Sequence, residues 1–165
     1  MKFLLPLLFA IPFSGLGQDC VIKKTKDQFS QESKLTTGFI PLSNARLSID
    51  ADAKEIHLLF VLGNNGEMKC FEEASTLSIA FDSINTKANL RNGGSMNCEG
   101  YFDVVFKNTP TTTTHLNRLT THTVKTLTFT GNNKTVTVIT LSDEQKALLK
   151  QLASCMATES KTLIK

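Results

Sequence analysis

At 165 residues with a formal net charge of +3, this chain is sized for one domain, and it is too near neutral to be built for nucleic acid or an anionic membrane. Tryptophan is absent and tyrosine occurs once, so an aromatic stacking platform for sugars or bases is poorly supplied. Eleven phenylalanines are still enough apolar bulk for a real core.

The chain opens with a basic Lys2, an uncharged apolar run from 3 to 13, and small residues at Ser14, Gly15 and Gly17. That order is the pattern of a secretory signal peptide. A membrane-crossing helix needs about 20 apolar residues, and this shorter run is broken by Pro6 and Pro12. Residues 1–17 are therefore expected to be a signal peptide, and residues 18–165 a single exported domain. Asp19 directly before Cys20 fits lipid attachment poorly, which favours a soluble product. No later run reaches spanning length, so no transmembrane segment is expected after signal removal.

All four cysteines, Cys20, Cys70, Cys98 and Cys155, fall in the exported part. An even number in an oxidising compartment predicts two disulfides, for which four cysteines leave three connectivities open. The expected pairing is Cys70–Cys98, tying neighbouring segments of a sheet, and Cys20–Cys155, pinning the mature N-terminus to the last helix. Metal sites usually show close pairs such as C-x-x-C, and none is present. No metal or cofactor is expected.

In chain order, the first strand candidates are 35–42 and 45–49, with Pro41 marking an edge or a strand end. Asp50-Ala51-Asp52 has the oxygen-rich look of a calcium loop but lacks the fixed glycine and closing glutamate, so 50–54 reads as a polar turn. Residues 56–62 are almost continuously apolar, predicting a strand covered on both faces, and Gly63-Asn64-Asn65-Gly66 ends it. Leu77, Ile79 and Phe81 alternate with smaller or polar residues, as do Phe102, Val104 and Phe106, so each set predicts a strand with one buried face. Between them 92–95 is a turn. Thr111–Thr114 after Pro110 reads as an exposed loop leading into one helical turn at 116–119. Residues 123–130 and 134–141 form a hairpin around Gly131-Asn132-Asn133. Ser142 and Gln145 spell a capping box for a final helix over 142–157, with Asp143 and Glu144 at its positive end. The expected fold is α+β, a mostly antiparallel β-sheet with a C-terminal α-helix packed on it.

Candidate chemistry is thin. His57 sits in the most apolar strand with no local partner, and His115 and His122 are two helical turns apart, about 10 Å, too far to share one metal. Glu72-Glu73 would point to opposite faces of a strand and not act as an acid/base pair. Asn133-Lys134-Thr135 matches an N-glycosylation acceptor at a hairpin turn. No nucleophile elbow, P-loop or dinucleotide fingerprint occurs.

Asp19-Cys20-Val21-Ile22, the Cys70 segment running into Leu77–Asp82, Asn97-Cys98-Glu99-Gly100, and the Leu-x-x-Leu of Leu116 and Leu119 stand in that order before a strand pair and a helix ending in Cys155. This order resembles small exported proteins of unknown function from Bacteroidota. The resemblance implies a periplasmic or cell-surface location and no assigned activity.

The function expected from the residues is a non-enzymatic secreted or periplasmic domain that binds another envelope or secreted protein, with 36–42 and 108–118 as its candidate surfaces. One alternative is a small-ligand carrier whose pocket lies between sheet and helix, lined by Phe60, Phe81, Phe106 and Leu152. Another is a hydrolase built on His57 or His122 with a nearby carboxylate, which predicts that pair within hydrogen-bond reach inside a cleft.

Overall fold

The structure is a computed structural model that describes residues 20–26, 28, 31–63 and 68–164. The expected signal peptide and its cleavage site, and Asn64, Asn65 and Gly66 of the expected turn, lie outside the described residues.

The strands are β1 (Lys23–Lys26), β2 (Ser33–Thr36), β3 (Ile40–Leu42), β4 (Ala45–Ala51), β5 (Glu55–Leu62), β6 (Thr76–Phe81), β7 (Ala88–Arg91), β8 (Tyr101–Lys107), β9 (Val124–Thr130) and β10 (Val136–Thr140). Two α-helices join them, α1 (Thr114–Thr121) and α2 (Asp143–Glu159), and a 3-10 turn (Ser160–Leu163) closes the chain. All strand pairing is antiparallel. One sheet runs β1-β2-β4-β5-β8 with β3 also on β4, and the second runs β10-β9-β6-β7.

The predicted strand at 35–42 is thus two strands on the same side of β4. Leu35 and Thr36 pair with Ala51 and Asp50, whereas Ile40 pairs with Leu47. Residues 37–39 therefore stand against only Ser48 and Ile49, a one-residue bulge. Gly38 takes φ +65° there, a region costly for residues with a Cβ. The Thr37 hydroxyl accepts from the Ile49 amide at 2.9 Å and closes the gap. Pro41 lies in β3, which pairs only with β4, so its missing N–H falls on an edge as expected.

Alternation decides which residues enter the core. β5 buries Ile56, Leu58, Phe60 and Leu62, and leaves His57, Leu59 and Val61 half-buried. The expectation that this strand is covered on both faces is corrected: one face is buried and the other is only half-buried. Leu77, Ile79, Phe81, Phe102, Val104 and Phe106 all point inward as predicted. Phe60 and Phe102 of the first sheet each meet Phe129 of the second edge-on, with centroids 5.2 Å apart. The two sheets therefore share one core.

Helix α2 carries the predicted capping box, with Ser142 and Gln145 bonded reciprocally. It buries Leu149, Leu152, Ala153, Met156 and Ala157, packs against α1, and touches both β4 and β9. The expected single turn at 116–119 is an eight-residue helix burying Leu116 and Leu119. It forms because α2 offers those two leucines an apolar partner.

Both expected disulfides are present, Cys20–Cys155 and Cys70–Cys98, and no free cysteine occurs among the described residues. The Cys70 carbonyl accepts from Asn132 at 3.0 Å, so the β9–β10 turn backs onto this stapled segment. A Cβ at Gly131 would come within 2.6 Å of that carbonyl, which is why the turn begins with glycine. No described helix is long and apolar enough to cross a membrane.

Candidate functional site

Two surfaces carry the molecule's chemistry, and each is the outer face of a sheet. On the first, alternation turns Ser48 and Asp50 of β4, His57 of β5 and Asp103 of β8 to the same side. Asp50 stands directly opposite His57, and Asp103, paired with Leu59, sits diagonal to it. His57 Nδ1 lies 2.9 Å from Asp103 Oδ2, and its Nε2 lies 3.4 Å from Glu55 Oε2. The Ser48 hydroxyl donates to Asp50 Oδ2 at 2.8 Å. Beside this cluster a cleft of about 400 Å³ is lined by Thr25, Lys34, Thr36, Asp50, Asp52 and His57.

The hydrogen bond that the His57 ring donates to Asp103 holds the His57 pKa above its ordinary 6.5, and the charges of Asp103, Glu55 and Asp52 add to it against the opposing effect of partial burial. Burial acts to raise the Asp52 pKa but is outweighed by the Lys54 and Glu55 amides, at 2.7 and 2.8 Å, which bring it below the usual value. Asp52 thereby caps the β4–β5 turn, where the sequence predicted a polar turn.

A histidine and an acid are thus within bonding reach, but the arrangement is a proton-holding pair. Both ring nitrogens face carboxylates, and the Ser48 hydroxyl gives its proton to Asp50. Activation of a nucleophile needs a hydroxyl or thiol bonded to the base, and His57 has none among the described residues. His122 bonds Ser83 at 3.0 Å and rests edge-on against Phe81, and His115 lies at the other end of α1. Among the described residues no group of three or more histidine, cysteine or acidic side chains is placed to hold a metal. Glu72 and Glu73 lie in a turn closed by Ser75, beside Arg91 at the rim of an open cleft.

Because His57 binds its proton more tightly in the folded state, it stabilises the fold fully below pH about 6.5, and that contribution is lost as pH rises through the elevated folded value. In urea unfolding from about pH 5.5 to 8.5, the stability gap between the wild type and His57→Gln is expected to shrink with rising pH. A gap that stays constant or widens contradicts the pairing.

The second surface is the outer face of the β10-β9-β6-β7 sheet. Register lines up Val136, Thr130, Thr76 and Arg91 in one row, then Val138, Thr128, Ser78 and Asn89, then Thr140, Thr126 and Ala80. Arg91 is the only charge in these rows. At one margin Val136 and Val138 are 60% and 56% exposed.

The edges beside these faces differ sharply. β1 is Lys-Lys-Thr-Lys and wholly exposed, and β3 contains Pro41. β7 is four residues long and carries Arg91. Along β8, the Gly93 amide donates to the Asp103 carbonyl and Asn92 Oδ1 accepts from the Asp103 amide, so that edge is covered. Charge, proline, shortness and covering are the usual protections of an edge. β10, Val-Thr-Val-Ile-Thr, has no charge, proline or glycine of its own, although Lys69 donates from Nζ to the Thr137 hydroxyl at 3.1 Å.

Its free groups follow from the ladder. Gly131 donates to Thr135, and Leu141 to Lys125, so odd-numbered residues of this strand bond to β9. Antiparallel pairing alternates, which turns the N–H and C=O of Val136, Val138 and Thr140 outward. Among the described residues only the Thr140 carbonyl is used, accepting from Ser43 Oγ at 2.9 Å.

Of the surfaces singled out from sequence, 36–42 contains the bulged, proline-bearing edge, and 108–118 divides between a buried Asn108 bonded to Asp52 and Ser160 and the first turns of α1. The carrier residues Phe60, Phe81, Phe106 and Leu152 are buried within the common core. His57 was expected beside a carboxylate, but its pairing with Asp103 and the open β10 edge were not foreseen. The first joins residues 46 apart in sequence, and the second depends on which strands end up inside. Comparison with family models, curated proteins and solved structures finds no match to this chain.

Proposed function

We propose that this chain is a non-enzymatic recognition domain of the periplasm, cell surface or secreted space, and that β10 accepts an extended strand from another protein. The observation that carries the reading is an uncharged edge strand with outward main-chain groups and two exposed valines, in a fold whose other edges are blunted. Strand addition draws affinity from main-chain hydrogen bonds and specificity from alternate side chains, and β10 offers both. Two disulfides support the non-cytoplasmic location, since glutathione and thioredoxin keep cytosolic thiols reduced. The His57 cluster lacks a bonded nucleophile, and His122, which does bond the Ser83 hydroxyl, has no carboxylate bonded to its ring among the described residues; together these favour binding over hydrolysis.

The test is a photoreactive residue at position 138 in the producing cell, with one at position 24 on the lysine-rich edge as control. Discrete covalent adducts are expected at 138 and none at 24. Absence of any adduct at 138, or equal labelling at both positions, sinks the reading.

A further inference from the structure

We infer that the strand received by β10 is β10 of a second copy, forming a twofold dimer whose axis passes through Val138. The inference rests on the strand-accepting reading above and names its partner. An antiparallel pair made from one sequence is self-complementary, as a twofold interface requires.

With Val138 opposite its own equivalent, Val136 faces Thr140 of the second copy and Thr140 faces Val136. Every outward N–H and C=O of the strand then finds a mate, about six main-chain hydrogen bonds in all. The Thr140 carbonyl, already receiving Ser43, keeps a second lone pair for this purpose.

Charge selects the same register. Lys134 precedes β10, is exposed, and forms no ion pair among the described residues. Asp143 and Glu144 follow it, in the first turn of α2; Asp143 already accepts from Lys146 at 3.1 Å, and Glu144 is exposed. Antiparallel pairing about Val138 brings the turn that carries Lys134 in one copy toward the first turn of α2 in the other, so each end of the interface sets a cation near the acidic Asp143 and Glu144. A parallel arrangement would stack Lys134 on Lys134 and Asp143 on Asp143. The two four-stranded sheets become one of eight, and Val136 and Val138 are covered from the side.

The measurement is the mass of the chain, with both disulfides formed, by sedimentation equilibrium over a concentration series. The wild type is expected to approach twice the monomer mass. Val138→Pro removes an N–H that points away from β9, a position where an edge strand tolerates proline. Val138→Lys keeps the N–H and sets two like charges face to face on the axis. Each is expected to halve the mass while retaining a cooperative melt. Lys134→Glu is expected to weaken association at least tenfold, and adding Glu144→Lys, which leaves the Asp143–Lys146 pair in place, to restore it.

A wild type that stays monomeric throughout overturns the dimer. If position 138 nevertheless crosslinks to a different protein in the cell, the strand-accepting reading survives its loss. A dimer that persists in a folded Val138→Lys chain also overturns the proposal, because the interface would then lie elsewhere.

Discussion

Phe129→Ala is expected to destabilise the fold by about 3–5 kcal/mol, the usual cost of truncating a buried phenylalanine. Phe129 is fully buried and stands where three segments converge. Its ring meets Phe60 of β5 and Phe102 of β8 at 5.2 Å, and Phe71, beside the Cys70–Cys98 bridge, at 6.3 Å. Alanine leaves a void that β-strands on both sides are too tightly registered to close. It also removes aromatic pairings worth about 0.5–1.5 kcal/mol each beyond their buried area. Urea unfolding should show a lowered midpoint with an unchanged slope. Phe129→Leu, which keeps most of the volume, is expected to cost less than half as much. An alanine variant as stable as the wild type would show that the two sheets do not share a core.

Replacing Cys20 and Cys155 together by serine is expected to lower stability by about 5 kcal/mol at most, on the chain-entropy account of a bridge closing so long a loop. The bridge spans 135 residues, against 28 for Cys70–Cys98, whose loss should cost about 3–4 kcal/mol on the same account. The structure adds a local consequence. β1 is exposed at all four positions and bonded only to β2, so the link from Cys20 to α2 is the covalent cross-link that ties its free side to the body of the fold. The double variant should therefore melt roughly 10–15 °C lower, and its β1 amides should lose hydrogen-exchange protection before those of β5. A variant that melts within a degree or two of the wild type would mean that the bridge adds nothing to the folded chain.

Strand positions with strict alternation were legible from residue types because one-sided burial leaves a period of two. Leu77-Ile79-Phe81 and Phe102-Val104-Phe106 are the plain cases, and both point inward. β5 misled because its outer face carries Leu59 and Val61 between buried residues, so its alternation is hidden in an apolar run. β1 and β7 escaped notice, since four residues of Lys-Lys-Thr-Lys or Ala-Asn-Leu-Arg become strands only by pairing with a neighbour already in place. The split at Gly38 is likewise a product of register against β4.

What the amino-acid order determined by itself is local: the capping box at Ser142, the glycine turn at Gly131, the inward residues of β6 and β8, and the even cysteine count. Capping, turn geometry and alternation act over a few residues, so neighbours in sequence suffice. Tertiary structure alone decided that two sheets share one core, that His57 meets Asp103, and that β10 is left outermost in its sheet. Those features depend on which distant strands pair and which are left outermost, a competition among long-range contacts that no short stretch of sequence records.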